Sequence, residues 1–162
     1  MSKEEMTLYV LDLYERSSNV REIIDATFKP DGSKDLVKKY KKIIENEFYP
    51  KNPMNAKHGF AEAKKAIKEF KEVCQNPFWV GELMMDLPEL AAKFTNDYGD
   101  MWEQYYISAE NNFDAALKYL QKHDLLGIFQ HRAQSCVKYA SNCGWGYADA
   151  MQEIYQTYYT EE

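Results

Sequence analysis

Asp97 and Asp100 stand three residues apart in the string NDYGDMW, with Tyr98 and Trp102 beside them. Two carboxylates at a break between helices can hold a divalent cation or divide the acid and base roles of a proton transfer. A plainer use is capping. Asp100 would satisfy the first amides of a following helix, Glu103 would complete a capping box, and Gly99 would end the preceding helix. That use leaves Asn96 and Asp97 without a task. The second candidate is CGWGY, Cys143 to Tyr147. It reads G-x-G-x-x-D, part of a dinucleotide fingerprint, but that motif needs a strand before it and glycine at its last position. Here a helical pattern precedes, and Asp149 stands last. A hinge fits better: Gly144 as a left-handed cap, Trp145 packing back, Gly146 freeing the chain. If the two strings meet, Asp97, Tyr98, Asp100, Trp102, Trp145 and Tyr147 would line one aromatic and acidic pocket for a small molecule or metal.

Other chemistry is sparse. HDLLG, His123 to Gly127, is similar to the His-Asp pair of all-helical metal-dependent phosphohydrolases. The residues before it, Gln121-Lys122, are polar, and the upstream histidine His58 is far away. Lys122 and His123 complement a helix C-terminus, and Asp124 is expected to cap the next helix. The Glu-x-x-His di-iron signature, G-x-S-x-G and a phosphate loop are absent from the sequence. We expect no metal and no cofactor.

The elements that must position these residues read as helices nearly throughout, because apolar side chains recur at three- and four-residue spacing. SKEE opens with a capping box, and Met6, Val10, Leu13 and Tyr14 form one face of helix one. Ser17, Ser18 or Asn19 caps a second helix with Ile23, Ile24 and Phe28, which stops at the turn Lys29-Pro30-Asp31-Gly32. Ser33 caps the third, with Leu36 or Val37, Tyr40, Ile43, Ile44 and Phe48 inward. The fourth runs from about Asn55 to Cys74, burying Phe60, Ala63, Ile67 and Phe70. The fifth runs from Pro77 to Tyr98, with a kink expected at Pro88. The sixth buries Tyr106, Phe113, Leu117 and Leu120. Two more follow, from about Leu125 and from about Tyr147. The fold class is therefore all-α: an irregular stack of about eight helices in antiparallel hairpins, either superhelix-like or an orthogonal bundle. Length predicts a single domain over residues 1–162.

The net charge of −6 is unevenly spread. Residues 29–71 carry twelve basic against six acidic side chains; residues 72–162 carry five against fourteen. Such two-sidedness can orient a partner. Lys34, Lys38 and Lys41 form one stripe of helix three, and Lys57, Lys64, Lys68 and Lys71 another on helix four. A solvated lysine face is the expected reading. The sequence pI near 5.2 speaks against nucleic acid. MSKEEM lacks the basic and apolar regions of a secretory signal, and no run approaches the ~20 apolar residues of a membrane span. Cys74, Cys136 and Cys143 read as reduced thiols, since the last two lie two helical turns apart. We expect a cytoplasmic protein.

Four strings in order, LDLYERSSNVREIIDATFKP, ENEFYPKNP, FTNDYGDMWEQYY and GWGYADAMQEIY, resemble a family of small bacterial all-helical proteins carried as a domain of unknown function. The resemblance implies a compact helical cytoplasmic protein and transfers no catalytic residue. From the residues themselves the expected function is non-enzymatic: binding of another protein, or of a second copy. Tyr155, Tyr158 and Tyr159 on the last helix cannot all face one core, and an exposed cluster of them would mark the interface. The alternative is the pocket between NDYGD and GWGY.

Overall fold

Local signals set several helix ends. The Ser2 hydroxyl accepts from the Glu5 amide at 3.1 Å, and the Glu5 carboxylate accepts from the Ser2 amide at 2.6 Å, so α1 (Lys3–Arg16) begins with the expected capping box. Ser17 ends α1 and caps α2 (Ser18–Phe28) with its side chain. In the computed structural model, which describes residues 1–29 and 31–159, Asp31 rather than Ser33 stands at the start of α3 (Gly32–Phe48). Ser33 instead donates to the Ala26 carbonyl across the turn at 3.0 Å. Pro30 of the expected turn lies outside the described residues. Gly32 has a steric reason to be glycine: a Cβ there would stand 2.0 Å from the Asp25 carbonyl oxygen.

A single 3-10 turn, Pro53–Asn55, follows, so α4 (Ala61–Val73) starts six residues later than the apolar pattern alone predicts. α5 (Pro77–Tyr98) has the expected ends: Asn76 caps it, Pro77 takes the first turn where no amide partner is needed, and Gly99 closes it at φ 98°. It runs through Pro88 as one helix. α6 (Glu103–Lys122), α7 (Leu126–Ala140) and α8 (Tyr147–Tyr159) complete the eight α-helices among the described residues.

Each helix packs on its successor, and α5 is the hub: it touches α3, α4, α6 and α7. α8 lies across α6 and α7. α5 can be central because its sequence is apolar around much of its circumference, burying residues from Val80 to Thr95 on several faces. Gly81 lets α6 approach closely; a Cβ there would come 2.7 Å from Leu120 Cδ2. The expected inward faces of α3, α4 and α6 are in the core, with Ile44, Phe48, Phe70, Phe113, Leu117 and Leu120 almost fully enclosed. The N-terminal hairpin is attached differently. α2 packs on α3 and α4, whereas α1 packs on α2.

Candidate functional site

The two motif strings do meet, through one carboxylate. Asp100 Oδ1 accepts from the Gly144 amide at 3.0 Å and from the Tyr106 hydroxyl at 2.8 Å. It does not cap α6, whose N-cap position is Trp102 with no side-chain cap bond. The expected capping box with Glu103 is therefore replaced by a long-range latch across 44 residues. Gly144 is not the left-handed residue of the turn; Trp145 (φ 59°) and Gly146 (φ 74°) are. What glycine provides at 144 is room, because a Cβ would sit 3.1 Å from Asp100 Oδ2. Trp145 does not pack back on α7 but stands 67% exposed. Asp124 likewise does not cap α7; Leu125 holds that position and Asp124 has φ 57°.

The latch sets a pH dependence. The Gly144 amide, then the Tyr106 hydroxyl, hold the Asp100 carboxyl below its ordinary 3.8. A depressed carboxyl contributes stability above that ordinary value and loses it as pH falls through the folded value. Amide exchange at Gly144 is therefore expected to accelerate selectively as pH drops below about 3.8, relative to α5 amides, and not in Asp100→Asn.

Behind the latch, Tyr147 is fully buried and stacks on Tyr106 with ring centroids 4.6 Å apart. Its hydroxyl is buried without a hydrogen-bond partner among the described residues. An unpaired buried hydroxyl costs about 1–3 kcal/mol. Tyr147→Phe is therefore expected to raise stability in urea unfolding by about 1 kcal/mol, after the small void it leaves. A loss of stability would show that the hydroxyl is satisfied.

The other residues of the string turn elsewhere. Asp97 accepts from the Tyr49 hydroxyl at 2.8 Å. Tyr98, 65% exposed, lies over Phe94 at 4.6 Å and near Tyr49 at 6.1 Å. Trp102 is half exposed and meets the edge of Tyr105. The six residues thus fall into separate groups: Asp100 and Tyr147 at the latch, Asp97 and Tyr98 with Tyr49, and two outward tryptophans. Both carboxylates already accept from tyrosine. No cluster of three or more His, Cys, Asp or Glu among the described residues is arranged to hold a metal ion.

Sequence reasoning missed the densest charge cluster. Glu82, Asp86 and Glu89 occupy one stripe of the otherwise apolar α5. Arg132 from α7 reaches Asp86 at 2.6 Å, Glu89 at 2.6 Å and Glu82 at 3.3 Å. Lys41 from α3 reaches Glu82 at 2.8 Å and Asp86 at 3.0 Å. Lys41 is therefore not part of a solvated lysine face. Burial holds the Asp86 carboxyl above its ordinary range despite the two cations. Burial opposes the Arg132 charge, but Asp86 and Glu89 more than offset it. The available signal was the i, i+4, i+7 spacing of carboxylates on an apolar helix, which demands cations from its neighbours.

A model of a family described as a family of unknown function, DUF6155, matches residues 1–159. The chain belongs to this family. Neither a curated protein nor a solved structure matches it.

Exposed apolar surface on this DUF6155 chain lies at the opposite end from the one expected. On α8, Tyr155, Tyr158 and Tyr159 are half-buried against the core. Tyr158 donates to Asp114 at 2.7 Å and Tyr159 to the Leu126 carbonyl at 2.9 Å, while Tyr155 accepts from Gln134 at 3.1 Å. α8 fits because it rides the seam between α6 and α7, so two flanks find partners. By contrast, α1 has no buried residue. Leu8, Tyr9 and Leu11 are 68%, 57% and 53% exposed, and Met6 and Val10 join them. No helix among the described residues is long and apolar enough to cross a membrane.

Proposed function

We propose that this chain is a non-enzymatic helical module that self-associates, with α1 pairing against α1 of a second copy. The observation that carries the reading is the exposure of α1. Seven of the nine residues from Met6 to Tyr14 are apolar, yet none of them is buried. A helix apolar on most sides is normally enclosed. Its charges favour a copy of itself. Glu5, Tyr9, Asp12 and Arg16 share one stripe beside Leu8, by their i, i+4, i+7, i+11 spacing. Antiparallel pairing about a two-fold axis sets each Glu5 beside the partner's Arg16 and opposes the helix dipoles. The two basic and four acidic side chains of α1 suit an anionic bilayer poorly.

Magnitude limits the affinity. Fourteen residues give a helix about 21 Å long and about 10 Å wide, well short of the ~800 Å² per partner of a standard interface. We expect a dimer dissociating in the micromolar range, with Ile23 and Phe28 of α2 extending the contact. Sedimentation velocity across a concentration series tests this. A monomer–dimer equilibrium supports it. A strict monomer at the highest concentration, or a dimer unaffected by substitution on α1, overturns it.

A further inference from the structure

The Asp100 latch leaves two large side chains unaccounted for. Trp102 and Trp145 are 52% and 67% exposed, although folding normally covers most of a tryptophan. Trp145 also takes left-handed backbone, φ 59°, which strains a bulky residue. Burial would offset that strain for a core side chain, and Trp145 has none to offset it. Trp102 begins α6 without a capping bond of its own. It leans on the edge of Tyr105, with ring centroids 5.7 Å apart, and half of it is open to water.

The latch also limits how far apart the two indoles stand. Asp100 Oδ1 and the Gly144 amide are 3.0 Å apart. Trp102 follows Asp100 by two residues and Trp145 follows Gly144 by one. Standard chain dimensions then keep the two tryptophan Cα atoms within about 19 Å of each other, a distance that an extended peptide of about six residues covers.

Charge says what kind of peptide fits. Residues 94–117 hold five acidic side chains and no basic one, and residues 139–159 hold two and none. Asp97, Asp100, Glu103 and Asp149 are exposed, and none of them makes an ion pair among the described residues. Glu103 stands next to Trp102, and Asp149 lies one turn beyond Trp145. Lys93, just before the first of these acidic stretches, is engaged over the Tyr49 ring at 5.6 Å. The helix ends decide nothing. The C-termini of α5 and α7 and the N-termini of α6 and α8 border these two turns, and their opposite partial charges offset each other.

We propose that this surface docks an extended, arginine-rich segment of another protein. The guanidinium groups lie on the indole faces, since tryptophan is the best of the aromatic side chains for holding a cation. Arginine suits the place better than lysine: its planar group stacks on a ring while its N–H groups donate to a carboxylate alongside, here Glu103 or Asp149. The same carboxylates repel polyanionic partners. The left-handed turn at Trp145 is preorganisation, because it holds the indole outward before the partner arrives. α1 touches none of α5 to α8, so this surface works whether or not α1 pairs with a second copy.

Hexa-arginine and hexa-citrulline share length and side-chain shape, but the first alone is charged. Each is titrated into the full chain at about 0.15 M salt, where long-range attraction is screened, and the indole N–H resonances are followed by NMR. Hexa-arginine is expected to bind saturably, to move the Trp102 and Trp145 resonances and not that of Trp79, and to bind at least about tenfold more tightly than hexa-citrulline. Trp102→Ala combined with Trp145→Ala keeps every charge and is expected to weaken hexa-arginine binding roughly tenfold. Equal affinities for the two peptides, no saturable binding, or saturation that leaves both exposed indoles unmoved would overturn the proposal. So would a double variant that binds as well as the wild type, which would mean diffuse attraction between opposite charges alone. The wild-type comparison of the two peptides decides the matter even where the variant fails to fold.

Discussion

Arg132→Ala is expected to destabilise the fold by about 3–5 kcal/mol in urea unfolding, near the lower end. The guanidinium links three carboxylates of α5 to α7 and is 24% exposed, so water does little of its work. Its removal strands charges in a poorly hydrated place. Lys41 still reaches Glu82 and Asp86, which softens the loss, but among the described ion pairs Glu89 has Arg132 alone. The pH profile separates this cause from lost packing. Burial already raises the Asp86 carboxyl in the folded chain. A raised carboxyl contributes stability below its unfolded value near 3.8 and loses it as pH rises through the folded value. Without Arg132 the folded value moves higher still. The penalty is therefore expected to be large at pH 7 and to shrink towards pH 4. A pH-independent penalty would mean that the side chain acts only as a filler between helices.

The second large effect is on assembly. Leu8→Glu combined with Tyr9→Glu is expected to weaken dimerisation more than 100-fold, leaving a monomer at every practical concentration. Each leucine forgoes part of the about 1.5–3 kcal/mol of a fully buried side chain. Each tyrosine at an interface centre can cost about 2 kcal/mol, and the two-fold axis counts every change twice. Four added carboxylates meet across the same seam. Monomer stability should change by less than about 0.5 kcal/mol, because both side chains are already exposed. Arg16→Glu alone should weaken the dimer, and Glu5→Arg added to it should restore part of the loss. Lack of rescue would exclude the antiparallel register. Binding of the wild-type chain to neutral lipid vesicles in place of dimerisation would assign the α1 face to a lipid surface.

The legibility of this chain depended on how local each cause was. The ends of α5 were readable because Asn76, Pro77 and Gly99 act within one turn of themselves. The buried faces of α3, α4 and α6 were readable because periodicity reports which side chains share a side. Periodicity does not report whether that side finds a partner in the same chain, and so the apolar face of α1 could be read as a face but not as exposed. The tyrosines of α8 erred the other way: a helix seated between two others has two inner flanks, and a one-face argument undercounts them. Asp100 was misread for a related reason. Asparagine, serine and aspartate before a helix usually act on the next few amides, but here the amide that matters belongs to Gly144. Nothing in the spacing of NDYGD points to it.

The manner in which α1 is attached bears on how the molecule breathes. It leans on α2, and α2 in turn on α3 and α4, whereas α5 is gripped from several directions. Opening the first hairpin forfeits few enclosed side chains; opening α5 dissolves everything. Deuterium should enter the amides of α1 within a sub-global fluctuation far cheaper than whole-chain melting, and those of α5 only through the latter. A chain graded in this way carries its loosest segment at the face proposed for self-association, so association there would tighten the N-terminus without disturbing the rest.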